Sequence, residues 1–329
     1  MNFRISPIWW PGLLLSSPLA LPWLYRKNER FKRNMEIARA RNQERIDSAS
    51  LLDLPELDFI KLTILVEWYA KEGFVSDAGV SCLFTTNLGS ILMDVGFGPT
   101  RPALAHNAEK LGFHMDQIDG LVISHLHPDH MGGIAAQKSR SVTIPPSLMP
   151  KSPKPCFLPD EAQSPGFEPR VVKEPMLLPS GMATTGPLAR SLFVFGYTEE
   201  QALVAKVKDK GLFIFTGCGH PTLEVILNMA AKLSPEPVHA IGGGLHFPIT
   251  DGRGNKWGIR FQTIVGTGKP PWKKMTDQDL DFTLATINNT APRRLLLSAH
   301  DVCDHSLERI KTETSPETLI LEAGETYTI

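Results

Sequence analysis

The segment Ser124–Gly133, SHLHPDHMGG, is the feature that most constrains the fold of this chain. It contains three of the chain's ten histidines and one aspartate, and it follows the apolar run IDGLVI directly. Such a run is typical of a buried strand, and a core does not tolerate polar side chains without partners. Two imidazoles one residue apart, then a carboxylate and a third imidazole, form two adjacent half-sites for a metal ion such as zinc. The sequence therefore predicts a metal site after a strand, with the ligands His125, His127, Asp129 and His130.

Short apolar runs separated by turns dominate the chain from about residue 58 onward. Runs such as FIKLTILVEW and SILMDVG are typical of strands, and HPTLEVILNMAAKLS carries apolar residues at helical spacing. This mixture predicts an α/β (α+β) domain over residues 58–329, a sandwich of sheets flanked by helices. The chain is rich in proline at about residues 141–181, and a long irregular segment inside a domain is typical of a functional loop or lid.

Residues 1–34 form an N-terminal apolar segment with a basic flank. Ile8 to Tyr25 is an 18-residue uncharged run with tryptophans near its ends, long enough to be considered for a bilayer. Prolines at positions 11, 18 and 22 are expected to disturb a helix there. The alternatives are an anchor that spans or re-enters a membrane, an apolar arm packed on the protein's own body, and a cleaved signal peptide. The signal peptide fits poorly because no A-x-A site follows.

The basic residues between Arg26 and Arg33 follow the apolar run. If residues 8–33 bind a membrane surface, these cations place the main body on the cytoplasmic side; otherwise we expect a cytoplasmic protein. Residues 35–57 are predicted to form a charged linker helix. The formal net charge of −1 gives no reason to expect a nucleic-acid partner, and four cysteines without a CxxC pair fit a reducing compartment.

The metal-site segment resembles the signature of the metallo-β-lactamase superfamily. Three further motifs agree in order along the chain: ILMDVGFG with Asp94, FTGCGHP with His220 and LLLSAHD with His300. The resemblance is closest to the subgroup of the dihydropterin–aminobenzene ribofuranosyl phosphate synthase, because the chain also has Leu65-Val66-Glu67 and the run IGGGLH. It departs from that subgroup at Gly219, where the subgroup has serine, and at Asp301, where it has cysteine.

This resemblance implies a four-layer αββα sandwich that holds two divalent metal ions, most simply zinc, with manganese or iron as alternatives. The implied ligands are His125, His127 and His220 for the first ion and Asp129, His130 and His300 for the second. Asp94 would orient a ligand from the outer shell. No carboxylate stands where the superfamily has a bridging one, so His246 or Asp301 could take its place, or the second site could be weak.

The resemblance and the ligand chemistry together predict an enzyme that acts on a small-molecule substrate. The first hypothesis is a metallohydrolase that uses metal-bound hydroxide on an ester, phosphoester or lactone, with Asp129 passing a proton to the leaving group. The alternative is a transferase that displaces diphosphate, and a third interpretation is a membrane-tethered metal-binding module. Glu67 and Lys269 are candidate substrate contacts, and Cys218 is interpreted as a small residue beside the metal.

Overall fold

The protein, described here for residues 4–329 by a computed structural model, is built from two large β-sheets and eight α-helices. The helices are α1 Trp10–Ser48, α2 Ala103–Leu111, α3 Pro128–Met131, α4 Ile134–Ser139, α5 Leu223–Leu233, α6 Gln262–Val265, α7 Asp277–Thr290 and α8 Asp304–Glu313. The strands are β1 Glu56–Leu57, β2 Ile60–Val66, β3 Tyr69–Ala70, β4 Ser81–Thr86, β5 Gly89–Met93, β6 Gly120–Val122, β7 Pro155–Leu158, β8 Glu168–Val171, β9 Met176–Leu177, β10 Ala183–Thr184, β11 Leu188–Leu192, β12 Gly196–Glu200, β13 Leu203–Val207, β14 Gly211–Thr216, β15 Val238–Gly243, β16 Asn255–Lys256, β17 Ile259–Arg260, β18 Arg294–Leu297, β19 Glu317–Ile320, β20 Glu322–Ala323 and β21 Thr326–Thr328.

The two large sheets pack face to face. The first has the strand order β21-β2-β4-β5-β6-β7-β8, and the second has the order β19-β18-β15-β14-β13-β10-β9 with β1 paired to β13. Apolar side chains of both sheets fill the space between them; the rings of Phe84 and Phe215 lie 5.0 Å apart between their centroids. Apolar residues of α2 pack on the outer face of the first sheet, and those of α5, α7 and α8 on that of the second. The predicted four-layer αββα sandwich is confirmed.

Parallel strands bring the predicted ligands to one edge of this sandwich. β5 runs parallel to β6 in the first sheet, and β14, β15 and β18 are parallel to one another in the second. Because the carboxyl ends of parallel strands meet at the same edge of a sheet, the loops that follow these five strands converge there.

The N-terminal segment is a single helix rather than two separate pieces. α1 runs from Trp10 to Ser48 with Pro18 and Pro22 inside it, so the expected disturbance by these prolines is wrong. Its second half packs on the β11–β12 hairpin, where Asn42 donates to the Ala189 carbonyl at 2.8 Å and accepts from the Ala189 N–H. No helix within residues 4–329 combines the length and the apolar character needed to cross a membrane.

The proline-rich segment at about residues 141–181 does not form an irregular lid. It contributes β7 and β8 to the first sheet and β9 to the second. None of its described residues lines either of the cavities that adjoin the candidate site described below. The segment is therefore part of the two sheets rather than a wall of these cavities.

Candidate metal centre

The first group of ligands lies where the loops after β6 and β14 meet. His125, His127 and His220 are buried and offer ring nitrogens that lie within 4.8 Å of one another. The Nδ1 atom of His127 is 3.2 Å from Nε2 of His220. The Nε2 atoms of His125 and His127 find no hydrogen-bond partner among the described residues. Burying imidazole nitrogens without hydrogen-bond partners costs free energy, and a metal ion bound to these nitrogens would remove that cost. The group therefore has the ligand type and the unpaired nitrogens of a metal site.

The second group lies directly beside the first. Asp129, His130, Cys218 and His300 offer ligand atoms that again lie within 4.8 Å of one another. The Sγ atom of Cys218 is 3.2 Å from Nε2 of His130 and 3.2 Å from Nε2 of His300. Cys218 also forms a third such group with His220 and His246. The sulfur therefore lies between the two sets of histidines.

Outer groups orient His130 and His125 from behind. Asp94 accepts a hydrogen bond from Nδ1 of His130 at 2.7 Å and another from the Ser124 hydroxyl at 2.6 Å. The oxygen of Ser124 in turn lies 3.0 Å from Nδ1 of His125. Because the carboxylate and the hydroxyl oxygen accept at Nδ1, each imidazole in its neutral form has its lone pair on Nε2, where a metal ion would bind. Asp94 has φ 65°, a conformation that a non-glycine residue keeps only where its surroundings fix it.

His300 is oriented by a similar chain of contacts. Its Nδ1 atom is 2.6 Å from the Ser298 hydroxyl, and that hydroxyl donates to the carboxylate of Glu67. Glu67 also accepts from the N–H of Trp68 at 2.8 Å and is fully buried. The predicted substrate contact of Glu67 is therefore wrong: its carboxylate lies behind His300, away from both cavities.

Glu200 holds the loop that carries Cys218 and His220. Its Oε1 atom accepts from the N–H groups of Cys218 at 3.0 Å and Gly219 at 2.8 Å, and its Oε2 atom accepts from the N–H of His220 at 2.8 Å. The carboxylate thus fixes three successive backbone amides of the loop. Sequence analysis missed this residue, because nothing in the segment YTEE at the end of β12 distinguishes an anchoring glutamate from a surface one.

The electrostatics of the site separate neutral from charged ligands. Burial lowers the pKa of His127 to about 3 and lowers that of His125 and His220 as well, so these imidazoles are neutral at pH 7. Although burial opposes it, the carboxylates of Asp94 and Asp129 raise the pKa of His130 to about 9. Neutral imidazole is the form that binds metal, so the first group is prepared for an ion without losing protons.

Glu67 gives the metal-free protein a testable pH dependence. Burial raises its pKa from an ordinary 4.5 to about 8, so its contribution to stability is full below pH 4.5 and is lost as the pH rises through about 8. We expect the free energy of unfolding in chelator to fall over this range, and Glu67→Gln to flatten the fall. Urea unfolding at several pH values measures this free energy, and Glu72→Gln, at an exposed position, is the control. An unchanged pH dependence in Glu67→Gln would contradict the prediction.

Comparisons with known proteins agree with this geometry. A family model described as the metallo-β-lactamase superfamily matches residues 77–147, which include Asp94 and all the ligands that follow β6. A solved structure of a metal-dependent hydrolase of the β-lactamase superfamily aligns with a TM-score of 0.57 and 19% identity, covering 82% of this chain and 98% of that one, which shows the shared fold. The segment that carries Asp94 and the ligands after β6 thus matches the metallo-β-lactamase superfamily, and the whole chain has the metallo-β-lactamase fold.

A curated relative extends this likeness beyond the matched segment. The chain is 25% identical over 241 residues to the 7,8-dihydropterin-6-methyl-4-(β-D-ribofuranosyl)-aminobenzene-5′-phosphate synthase of Methanocaldococcus jannaschii, covering 61% of this chain and 82% of the relative. The resemblance stated from the motifs, to the superfamily and to this subgroup, is confirmed.

Two cavities adjoin this candidate metal centre and share His220, His246 and Gly266 in their walls. The main cavity has a volume of about 700 Å³ and reaches Asp129 and Cys218. The side cavity, about 550 Å³, lies between α1, α5 and α7. A small molecule could therefore reach the centre through the main cavity, and another part of the same molecule could occupy the side cavity.

His246 and Asp301 lie together at the boundary of the two cavities. The Asp301 carboxylate accepts from the His246 N–H at 3.1 Å, and neither ring nitrogen of His246 has a hydrogen-bond partner among residues 4–329. Asp301 belongs to none of the candidate ligand groups in the described chain, whereas His246 belongs to the one with Cys218 and His220. Lys269 lines the side cavity and pairs with Asp279 at 2.6 Å, away from the two ligand clusters.

Proposed function

We propose that this protein is a metal-dependent hydrolase of an ester, phosphoester or lactone. The observation that supports the proposal is the pair of ligand groups, with unpartnered nitrogens, at the base of a cavity large enough for a small molecule. The resemblance to the metallo-β-lactamase superfamily agrees with an enzyme of this class, and the choice of reaction rests on the site. Hydrolysis adds water across the bond: the acyl or phosphoryl group takes the hydroxyl, and the leaving oxygen takes the proton.

The side chains divide this work between holding the cofactor and moving a proton. Divalent cations, most simply zinc, would supply a water nucleophile at neutral pH and stabilise negative charge on the substrate when bound. Asp129 lines the main cavity, and the nearby imidazoles of His130, His300 and His127 lower its pKa although burial opposes them. An ionised carboxylate in this position can accept a proton from the nucleophile and pass it to the leaving group.

The test is hydrolysis of a panel of aryl esters, aryl phosphoesters and lactones by the purified protein. We expect turnover of at least one class, its loss in chelator and its recovery when zinc or manganese is returned. A matched variant, His127→Ala, should remain inactive after the metal is returned. Absence of turnover on every class by protein that has been shown to contain metal would overturn the hydrolase proposal.

A transferase is the second candidate, and the side cavity is the observation that favours it. Arg190 lines this cavity, has no hydrogen bond or ion pair among the described residues, and lies near Arg39. Two cations in a cavity that His220 also lines suit a phosphate or diphosphate group. The relative from M. jannaschii is named as a synthase, and its name includes a ribofuranosyl phosphate group. If the cavity binds such a group, inorganic diphosphate should inhibit turnover less strongly in Arg190→Met than in the wild type. If the cavity does not bind it, the substitution should leave the inhibition unchanged.

Cys218 is proposed to bind metal, which the sequence analysis did not predict. Burial raises the pKa of the thiol, so a neighbouring cation is needed to ionise it. We expect the cobalt-substituted protein to show a sulfur-to-cobalt charge-transfer band in the near ultraviolet, and Cys218→Ser to lose it. Cys156→Ala, which removes a thiol buried in the core, is the matched control. A band that persists in Cys218→Ser would show that the sulfur is not a ligand.

A further inference from the structure

The first half of α1 presents an apolar face that nothing in the described chain covers. Leu15 and Leu19 are each 85% exposed, far beyond what a side chain packed on the protein would show. A stripe through Ser17, Ala20 and Leu24 is partly covered instead, so the helix lies along the protein with its outer side free. We call residues 8–25 the apolar segment; its exposed apolar residues are Ile8, Trp9, Trp10, Leu13, Leu14, Leu15, Leu19, Leu21, Trp23 and Tyr25. A continuous apolar surface of this kind marks an interaction site.

This face adjoins the mouth of the main cavity. The indole of Trp9 donates to the Trp257 carbonyl at 2.9 Å, and Lys27, further along α1, donates to the Val194 carbonyl at 3.1 Å. Trp257 is 70% exposed and lines the cavity. Phe195, the neighbour of Val194, also lines it, and its ring lies 4.4 Å from that of His127 between centroids. The start of the apolar segment therefore contacts a residue of the cavity rim, and the basic flank of the segment contacts the neighbour of another rim residue.

The rim itself is apolar and exposed. Ile134, Phe195, Trp257 and Phe261 are exposed apolar residues that line the main cavity. A hydrolytic site that served only polar substrates would not need an apolar mouth. An acyl chain, in contrast, could pass over such a rim without leaving an apolar environment.

The charges beside the face indicate what covers it. Arg26, Lys27, Arg30, Lys32 and Arg33 follow the apolar run directly, against one acid, Glu29, which pairs with Lys32 at 2.9 Å. The ammonium of Lys256 lies 4.9 Å from the Trp257 ring centroid. Tryptophans at the edge of an apolar surface, with lysine and arginine beside them, suit the headgroup region of an anionic bilayer. A second copy or another protein seated on this surface would obstruct the cavity mouth, whereas a bilayer can supply substrate to it.

We propose that the outer face of α1 and the rim of the main cavity dock on the surface of an anionic lipid bilayer. The substrate is then an amphipathic ester or phosphoester whose chain stays in the lipid while its headgroup linkage reaches the ligand clusters; this part rests on the proposed hydrolase function. Water adds across the linkage, so that one product keeps the acyl or phosphoryl group with a new hydroxyl and the other leaves as an alcohol.

The first experiment is co-sedimentation of the full chain with vesicles of phosphatidylcholine, with and without phosphatidylglycerol. We expect binding to the mixed vesicles, weaker binding to pure phosphatidylcholine, and weakening by salt. The double substitution Leu15→Glu with Leu19→Glu should reduce binding by about tenfold or more, since a charged side chain is unfavourable in the bilayer. Leu51→Glu with Leu88→Glu is the matched control, because both leucines are exposed outside the face and the rim.

The second measurement separates docking from catalysis. The α1 double variant should hydrolyse a short soluble ester at the wild-type rate and a vesicle-borne ester more slowly. No binding of the wild type to vesicles, or a solution dimer that the double variant dissociates, would overturn the bilayer as the occupant. Vesicle binding that the α1 variant loses, without metal-dependent hydrolysis of any ester, would support the docking surface and overturn the proposed function and substrate class.

Discussion

Alanine in place of His220 or His300 is expected to remove metal from one of the two ligand groups and to abolish most of the turnover. His220 belongs to the first group and His300 to the second, and each variant removes one ligand nitrogen from its group. Loss of an ion that stabilises charge and supplies a nucleophile corresponds to roughly 4 kcal/mol, about a 10³-fold loss in rate. Metal content by mass spectrometry and turnover on the best substrate of the panel measure both effects.

Comparison of the two variants also gives the number of ions. If both groups are occupied, each variant should lose one ion per chain. If Cys218 makes the second group the tighter one and only that group is occupied, His300→Ala should lose more metal per chain than His220→Ala. His106→Ala is the matched control, because its exposed ring contacts only the Gly73 carbonyl. Wild-type metal content and turnover in both variants would contradict the assignment of these groups.

Much of this centre could be predicted from sequence because its ligands lie close together along the chain or at strand ends. His125, His127 and His130 lie close together in the loop and the short helix α3 that follow β6, so a local pattern was enough to predict them. Asp94, His220 and His300 follow β5, β14 and β18, and strand order brings those ends to one edge. A motif that directly follows a strand therefore predicts where most of the ligands lie in the fold.

The outer contacts could not be predicted, because they join residues far apart in the chain. Ser298 meets Glu67 across 231 residues, and Glu200 meets the Cys218–His220 loop from the end of another strand. Their chemistry is decided by burial, and burial depends on how the two sheets pack. Glu67 shows the consequence: at the end of a strand it was a candidate substrate contact, but the opposite sheet covers it completely.

The N-terminal segment was misjudged for a related reason. The rule that proline disturbs a helix is local, yet distant contacts hold the chain on both sides of Pro18 and Pro22: Trp9 donates to the Trp257 carbonyl, and Lys27 donates to the Val194 carbonyl. The proline-rich segment near residue 150 is a similar case. Its short strands are held by pairing with β6 and β10, and composition alone does not reveal such pairing.

Asparagine in place of Asp94 is expected to weaken binding of the second ion by about 10- to 100-fold. All three groups that point at this buried carboxylate are donors: Nδ1 of His130, the Ser124 hydroxyl and the Ser124 N–H. An amide must turn its NH₂ group toward one of them, which removes a hydrogen bond and sets two donors against each other. If His130 responds by moving its proton to Nε2, the atom that should bind the ion loses its lone pair.

The same substitution should also change how stability depends on pH. Asp94 and Asp129 raise the pKa of His130 to about 9, so this stabilisation is fully present below the ordinary value of 6.5 and is lost as the pH rises through about 9. In metal-free Asp94→Asn the loss over this range should be smaller. Competition with a chromophoric chelator gives the metal affinity and urea unfolding gives the stability, with exposed Asp160→Asn as the control. Wild-type affinity together with a wild-type pH dependence would mean that Asp94 does not orient His130.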